Sequence, residues 1–467
     1  MQSHPPSNFD GDDPTWAIAA TSPDPAVAGA KKPATVQNNN AEPTAFIPRA
    51  PKSFAEAGVR ESVAESLALK FLLNSSTASG REIADQIALP FGVIEPLLHR
   101  LKHEQLVVFK SSAPVGDYQY ELTAAGGERA RRFLQQSSYF GAAPVPLEAY
   151  MHSVQLQSLT HRKVTMADVE RAFGELVLDE RMLNQVGEGI NKGLGFFLYG
   201  EPGNGKTSIA ERVASAYGDG IWIARAINVG GEIVRLFDPA NHELIQHPAQ
   251  DADDEEQKVD QRWVFIRRPT IVGGGELRLS SFEVTTNPVT GIHEAPLQLK
   301  ANGGTLVIDD FGRQHFRPED LLNRLIVPLG LRVDFLNMPS GRTFRVPYDV
   351  MTVISTNLDP LSLVDEAFLR RIPYKVDVND PSEAQFREVF REVARRKGIS
   401  CSEEALNYVI QKHYRDAKCQ MRFCHPRDLL EQVYNACDFR NQPLVVTPEN
   451  LDMAVQNYLM LQSRATH

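Results

Sequence analysis

The stretch Gly195 to Ser208, GFFLYGEPGNGKTS, restricts what this chain can fold into more than any other. Four apolar or aromatic residues (Phe196, Phe197, Leu198, Tyr199) predict a strand. They run into Gly200-Glu201-Pro202-Gly203-Asn204-Gly205-Lys206-Thr207, which satisfies the pattern G-x-x-x-x-G-K-[ST]. SIAERVASAY, from Ser208, then predicts a helix. Each part has a physical reason. Glycines let backbone amides turn inward on phosphate oxygens, and the following helix adds the positive end of its dipole. A lysine at position 206 reaches the outer phosphates, and the Thr207 hydroxyl can ligate Mg²⁺. Gly200 to Ser208 is therefore a candidate phosphate cradle.

Four later segments supply the groups such a cradle needs. In GGTLVIDDFG, Gly303 to Gly312, a strand begun by Thr305 delivers Asp309 and Asp310 to a sheet's C-terminal edge. Asp309 can hold the Mg²⁺ shell, and Asp310 can orient or deprotonate a water. VMTVISTN, Val350 to Asn357, is a second buried strand, and its terminal amide could hold that water in line. In LVDEAFLRRIPYKVDV, Leu363 to Val378, Arg370 and Arg371 end a short helix. Such arginines are usually solvated caps, but in a ring they would point at a neighbour's nucleotide. In CHPRDLLEQV, Arg427 lies in a helix's first turn, where the dipole disfavours a cation unless an anion faces it.

In this order, over roughly residues 165 to 460, the five blocks resemble the AAA+ ATPases. The resemblance implies an α/β P-loop sheet covered by helices, followed by a helical lid. It makes Gly200 to Thr207 the Walker A loop, Asp309 and Asp310 Walker B, and Asn357 sensor 1. Arg370 or Arg371 becomes an arginine finger, and Arg427 sensor 2. A strand-rich interruption over 229–302 and a hairpin over 333–347 look like the group containing MoxR-type ATPases. The whole chain is similar to bacterial chaperone-like ATPases linked to Flp pilus assembly. That resemblance implies ATP and Mg²⁺ as cofactors, a homo-oligomer (a hexamer), and a protein substrate such as a pilus or secretion component. Asp310 departs from the usual glutamate by one methylene, which points to slow turnover. Asn228 is the candidate relay of ligand state to the catalytic acid. Trp263 to Phe265 and Gly291 to His293 are pore-loop candidates.

At 467 residues the chain is too long for one core. Residues 1–51, rich in Pro, Ala, Asn and Asp, read as a disordered tail. Residues 52–137 run helix, helix, helix, hairpin, the order of a winged helix. Residues 138–164 read as a connector, 165–378 as the nucleotide-binding domain and 379–467 as the lid. Between Phe54 and Ser137, nine Lys/Arg face ten Asp/Glu, and the whole chain carries −10. The recognition helix offers only Arg100 and Lys102, with His99 and His103, against Glu95 and Glu104. Phosphate neutralisation dominates DNA affinity, so this balance favours a protein-docking module over a DNA reader.

Three readings stand: a ring ATPase that remodels or assembles a protein partner, a DNA-directed regulator, and a nucleotide-gated switch with little turnover. Four cysteines without a C-x-x-C pair read as reduced thiols, and Cys419, Cys424, His413 and His425 fit no zinc spacing. The acidic run Asp251 to Glu256, opposite Arg262, Arg267 and Arg268, reads as a solvated loop. No run is long and apolar enough for a membrane span and no signal peptide is visible, so the expected location is cytoplasmic.

Overall fold

The computed structural model describes residues 46–114, 116–193, 195–218, 220–251, 258–363 and 366–458. Most of the expected tail and the acidic run from residue 252 lie outside these residues.

Five strands form the central sheet: β1 (Phe196–Tyr199), β2 (Thr270–Gly273), β3 (Thr305–Ile308), β4 (Met351–Thr356) and β5 (Tyr374–Asp377). Their order is β2-β3-β4-β1-β5, and every pairing is parallel. Parallel strands covered on both faces must be apolar throughout, and β3 and β4 have no exposed position. The edge strands β2 and β5 alternate instead. Phe196, Leu198 and Val353 pack with the helices Met166–Phe173 and Glu180–Lys192. Phe197, Leu306 and Ile354 pack on the other face with the helix Pro318–Leu331. This is a parallel α/β sheet covered by helices on both faces, with the strand order placing the ends of β1, β3 and β4 side by side.

After Asp377 the described chain is helical. Glu383–Arg396 starts at a capping box of Ser382 and Gln385 and buries Phe386, Phe390 and Ala394, one turn apart. With Glu403–Val409, His425–Phe439 and Pro448–Tyr458 it closes a separate core around Leu406 and Leu430.

At the other end, the helices Glu61–Ser75, Gly80–Ile87 and Phe91–His103 precede the hairpin Val107–Ala113/Asp117–Leu122. The hairpin and the strand Thr77–Ser79 form a three-stranded antiparallel sheet. Ser79 and Glu82 form the capping box that starts the second of these helices. Asp117, buried, accepts from the Gly80 and Arg81 amides at 3.1 and 2.9 Å, so two otherwise orphaned donors end on one carboxylate.

Four expectations are corrected. Residues 46–51 are packed: Phe46 meets the Trp263 ring edge-on at 5.2 Å, and the Ala50 amide donates to Lys258 at 2.9 Å. Their apolar side chains found a hydrophobic face that a polar tail would lack. The connector 138–164 is structural, since Val145–Pro146 pairs with Ala226–Val229 and Tyr150 is buried in the helix Leu147–Leu156. The span 229–302 is no simple insertion, because β2 belongs to the central sheet; as an exposed-edge strand it lacks the continuous apolar run that marks a central one. The N-terminal unit does not close its own core. Ala143 and Ala226 complete it, and Ile233 and Ile292 pack against it.

The hairpin Val333–Asn337/Thr343–Pro347 forms as expected, turning at Gly341. Its Ser340 donates to Glu232 at 2.7 Å, docking the tip on the insert. Gly291 lies against the Gln136 carbonyl and Trp263 is buried in the insert's core, so neither pore-loop candidate is a free loop.

Asp117→Ala should lower stability by roughly 2 kcal/mol, the cost of stripping a cap from buried amides. A urea titration with an unchanged midpoint would contradict this role.

Candidate active site

The sheet brings most of the predicted site together. The Lys206 ammonium donates to the carbonyls of Gly200 and Glu201, both at 2.9 Å, and to Asn357 Oδ1 at 2.6 Å. Asn357 Nδ2 donates in turn to Asp310 Oδ1 at 3.0 Å. The Thr207 hydroxyl donates to Asp309 Oδ2 at 2.8 Å. The register explains this convergence. β4 lies between β1 and β3, with Thr356 opposite Tyr199 and Ile354 opposite Ile308, so all three strands end at one edge.

Burial pushes the Lys206 ammonium below its ordinary value, while Asp309 and Asp310 pull it back up. Asp310 has a left-handed backbone, φ 49°, which few non-glycine residues adopt outside turns or functional sites. Its neighbours are fixed on both sides: the Asp309 amide donates to the Gly273 carbonyl at 2.8 Å, the Phe311 amide donates to the Ser355 carbonyl at 2.8 Å, and the Phe311 carbonyl accepts from the Thr356 hydroxyl at 2.8 Å. Thr207 and Asp309 offer paired oxygens of the kind a small hard cation takes, so the residues fit Mg²⁺.

These groups sit at one end of a cleft of about 800 Å³. Pro202 to Ser208 form its floor. Leu176, Leu178, Val389 and Val393 give it an apolar wall, with the lid helix Glu383–Arg396 closing one side. Gly203 has φ 85°, and a Cβ there would lie 2.5 Å from Cys424 Sγ. Gly200 has φ 137°, and a Cβ there would meet the Val378 carbonyl at 2.5 Å. Both glycines are thus required by close approach as well as by backbone geometry.

The lid grips the loop through residues that the sequence motifs did not reveal. Arg422 pairs with Asp380, and with Glu201 at 3.1 Å. Asn204, buried, donates to Asp380 at 2.7 Å, and the Cys424 amide donates to Gly203 at 2.9 Å. Arg427 lines the cleft as predicted, but its anion is already present: Nε donates to Asp428 at 3.0 Å. Asp428, the next residue, supplies the carboxylate that a cation in a first helical turn needs.

Other expected residues lie elsewhere. Arg370 and Arg371 are exposed and do not line this cleft; Arg371 lies beside Gly330 on the helix Pro318–Leu331. Asn228 accepts from the Gly231 amide at 2.8 Å, closing a hairpin turn, and does not line this cleft. Strand-end asparagines are common turn formers, and that ordinary role wins here. Among the described residues no group of three His, Cys, Asp or Glu could hold a metal ion. His413 pairs with Asp452 at 2.7 Å and His425 with the Tyr414 hydroxyl at 3.1 Å. The basic residues once set opposite the acidic run have other partners. Arg262 is buried against Asp260 at 2.7 Å, Arg267 pairs with Glu243 and Arg268 donates to Gly303 at 2.7 Å. No helix among the described residues is long and apolar enough to cross a membrane.

Comparison with known proteins adds the following. A family model described as a domain of unknown function (DUF8689) matches residues 382–457, the lid. No curated protein matches. Among solved structures, NtrX from Brucella abortus in complex with ADP is similar at 14% identity and a TM-score of 0.36, over 61% of this chain and 56% of that one. NtrX in complex with ATP gives 15% and 0.37, with 58% of its chain covered. The RuvB Holliday junction branch migration motor of Thermotoga maritima gives 12% and 0.35, over 61% of this chain and 70% of its own. The chain thus spans less than two thirds of the NtrX chains it matches.

His425 opens the lid helix beside Cys424, and burial brings its pKa from 6.5 down to about 4. The unfolded chain therefore binds a proton that the folded one refuses between those values. Stability should fall as pH drops from about 6.5 towards 4, and His425→Gln should remove part of that loss. Identical pH–stability curves for the two proteins would refute the assignment.

Proposed function

We propose that this chain is a Mg²⁺-dependent ATPase of the AAA+ type that works as a homohexamer on a protein partner. The supporting observation is the convergence of Lys206, Thr207, Asp309, Asp310 and Asn357 at one end of a cleft with an apolar wall. In this reading the amides of Gly203 to Thr207 and the Lys206 ammonium bind the phosphates, and the wall formed by Leu176, Leu178, Val389 and Val393 takes the base. Asp310 accepts a proton from the attacking water, and Asn357 positions that carboxylate. Thr207 and Asp309 would hold Mg²⁺, which would supply charge neutralisation at the phosphate oxygens. Lys206 has three partners already, so the phosphates must draw it away from Asn357. That exchange would release the Asn357 amide to hold water.

Arg370 and Arg371, exposed and outside their own cleft, suit a finger that serves the neighbouring subunit. Arg427 serves as the lid's sensor. The N-terminal unit acts as a winged helix that docks protein. Of its two recognition-helix cations, Arg100 is paired with Glu104 at 3.0 Å and with the buried Glu65 at 3.4 Å, and Lys102 keeps its charge but lies over the Phe109 ring at 3.5 Å. A DNA-directed role finds little free charge there. The contacts of Arg422 on the P-loop favour a second reading, a nucleotide-gated switch whose turnover is slow.

Lys206→Ala should abolish nucleotide binding in calorimetry. Asp310→Asn should keep ATP bound while phosphate release falls by roughly 100-fold or more. Undiminished release by this variant would refute the role given to Asp310. If Arg370→Ala and Arg371→Ala both leave hydrolysis unchanged, the finger is elsewhere.

A further inference from the structure

Lys206 shares the lining of the cleft with Arg313, Arg396 and Arg427, while Arg422 reaches its loop from the helical region; the last three arginines are committed. Arg396 bonds Glu392 at 2.6 Å, Arg427 bonds Asp428 at 3.0 Å, and Arg422 holds Asp380 and Glu201. Arg313 differs. It lines the cleft with Lys206, Asp310 and Asn357, it is exposed, and its guanidinium makes no hydrogen bond or ion pair among the described residues.

Its backbone is nevertheless fixed. The Arg313 amide donates to the Asp310 carbonyl at 3.0 Å, closing a turn that passes through Gly312 at φ 98°. Gln314 staples this turn. Its amide nitrogen donates to the carbonyls of Asp309 and Asp310 at 2.8 and 3.3 Å, and its oxygen accepts from the Gly312 amide at 3.0 Å. A loop so held presents one uncommitted cation on the wall shared with the Walker B carboxylates.

Charge says what that cation is for. Lys206 alone stands against the carboxylates of Asp309 and Asp310. Magnesium between Thr207 and Asp309 would offset the first acid, but a terminal phosphoryl group would bring further negative charge beside the second. Like charges in a partly enclosed cleft repel strongly unless another cation intervenes.

We propose that Arg313 is that cation, binding the terminal phosphate of ATP from within the same subunit and thereby discriminating ATP from ADP. This rests on the ATP-site reading above. Guanidinium suits the task because its fork of donors matches phosphate oxygens.

Calorimetry on the full chain with Mg²⁺ tests it, using the slowly hydrolysed analogue ATPγS and ADP as probes. Arg313→Gln should weaken ATPγS about tenfold while ADP affinity stays within about twofold, the scale of one exposed charge-assisted bond. Arg313→Lys should recover part of the loss. Equal weakening of both nucleotides would mark Arg313 as merely structural, and no change in either would remove it from the site; both results overturn the proposal. Lys206→Ala separates this from the broader reading. If that variant binds like the wild-type chain, the phosphate cradle itself is wrong, whereas its failure to bind alongside an unaltered Arg313→Gln condemns Arg313 alone.

Discussion

The bond between the Lys206 ammonium and the Asn357 amide oxygen is the contact on which the rest of the site is organised. It joins the loop after β1 to the end of β4, residues 151 apart in sequence. A partly buried ammonium has to find oxygens, because desolvation is costly and only charge-assisted bonds offset it. That requirement is met only if β4 lies directly beside β1 and ends at the same level. The parallel ladder from Val353–Phe196 to Thr356–Tyr199 sets that level. With β4 fixed, β3 can deliver its two acids on the far side, and Asn357 becomes the bridge between the lysine and Asp310.

The lid is tied to the same loop by independent means. Asp380 receives both Arg422 and Asn204, so one carboxylate gathers the lid, the loop and the segment leaving β5. Cys424 fills the space above Gly203 that a side chain would need. The contacts between this helical region and the loop Gly200–Thr207 are thus largely polar. Polar contacts of this kind exchange more readily with a charged ligand than an apolar seam would.

What could be read from the sequence divides along a physical line. The glycine-rich loop after β1, β3 and β4 were legible as local structure because each carries its signal locally: a glycine pattern, an apolar run, a polar end. The helices of the lid were legible from their periodicity and from starts near Pro381, Glu403, Pro426 and Pro448. Arg422, Asp380 and the wall of Leu176 and Val389 were not, since their meaning comes only from which distant segments meet. Edge strand β2 was absorbed into an insertion for a related reason, because a half-exposed strand looks like any surface strand until its neighbour is known. Asn228 shows the opposite case, a role assigned by position to a side chain that a tight turn holds.

The shared core at the N-terminal end bears on how this chain can be divided. Ala226 and Ile233 are covered by residues that come before Ser137, and the buried Arg262 donates to the carbonyl of Ala57 at 2.7 Å. Severing the chain near residue 138 would expose apolar surface on the piece that carries the central sheet and take one of its acceptors from the buried Arg262, leaving only Asp260. The two parts behave less like beads on a string than like a handle forged onto its blade, and laboratory dissection would have to respect that join.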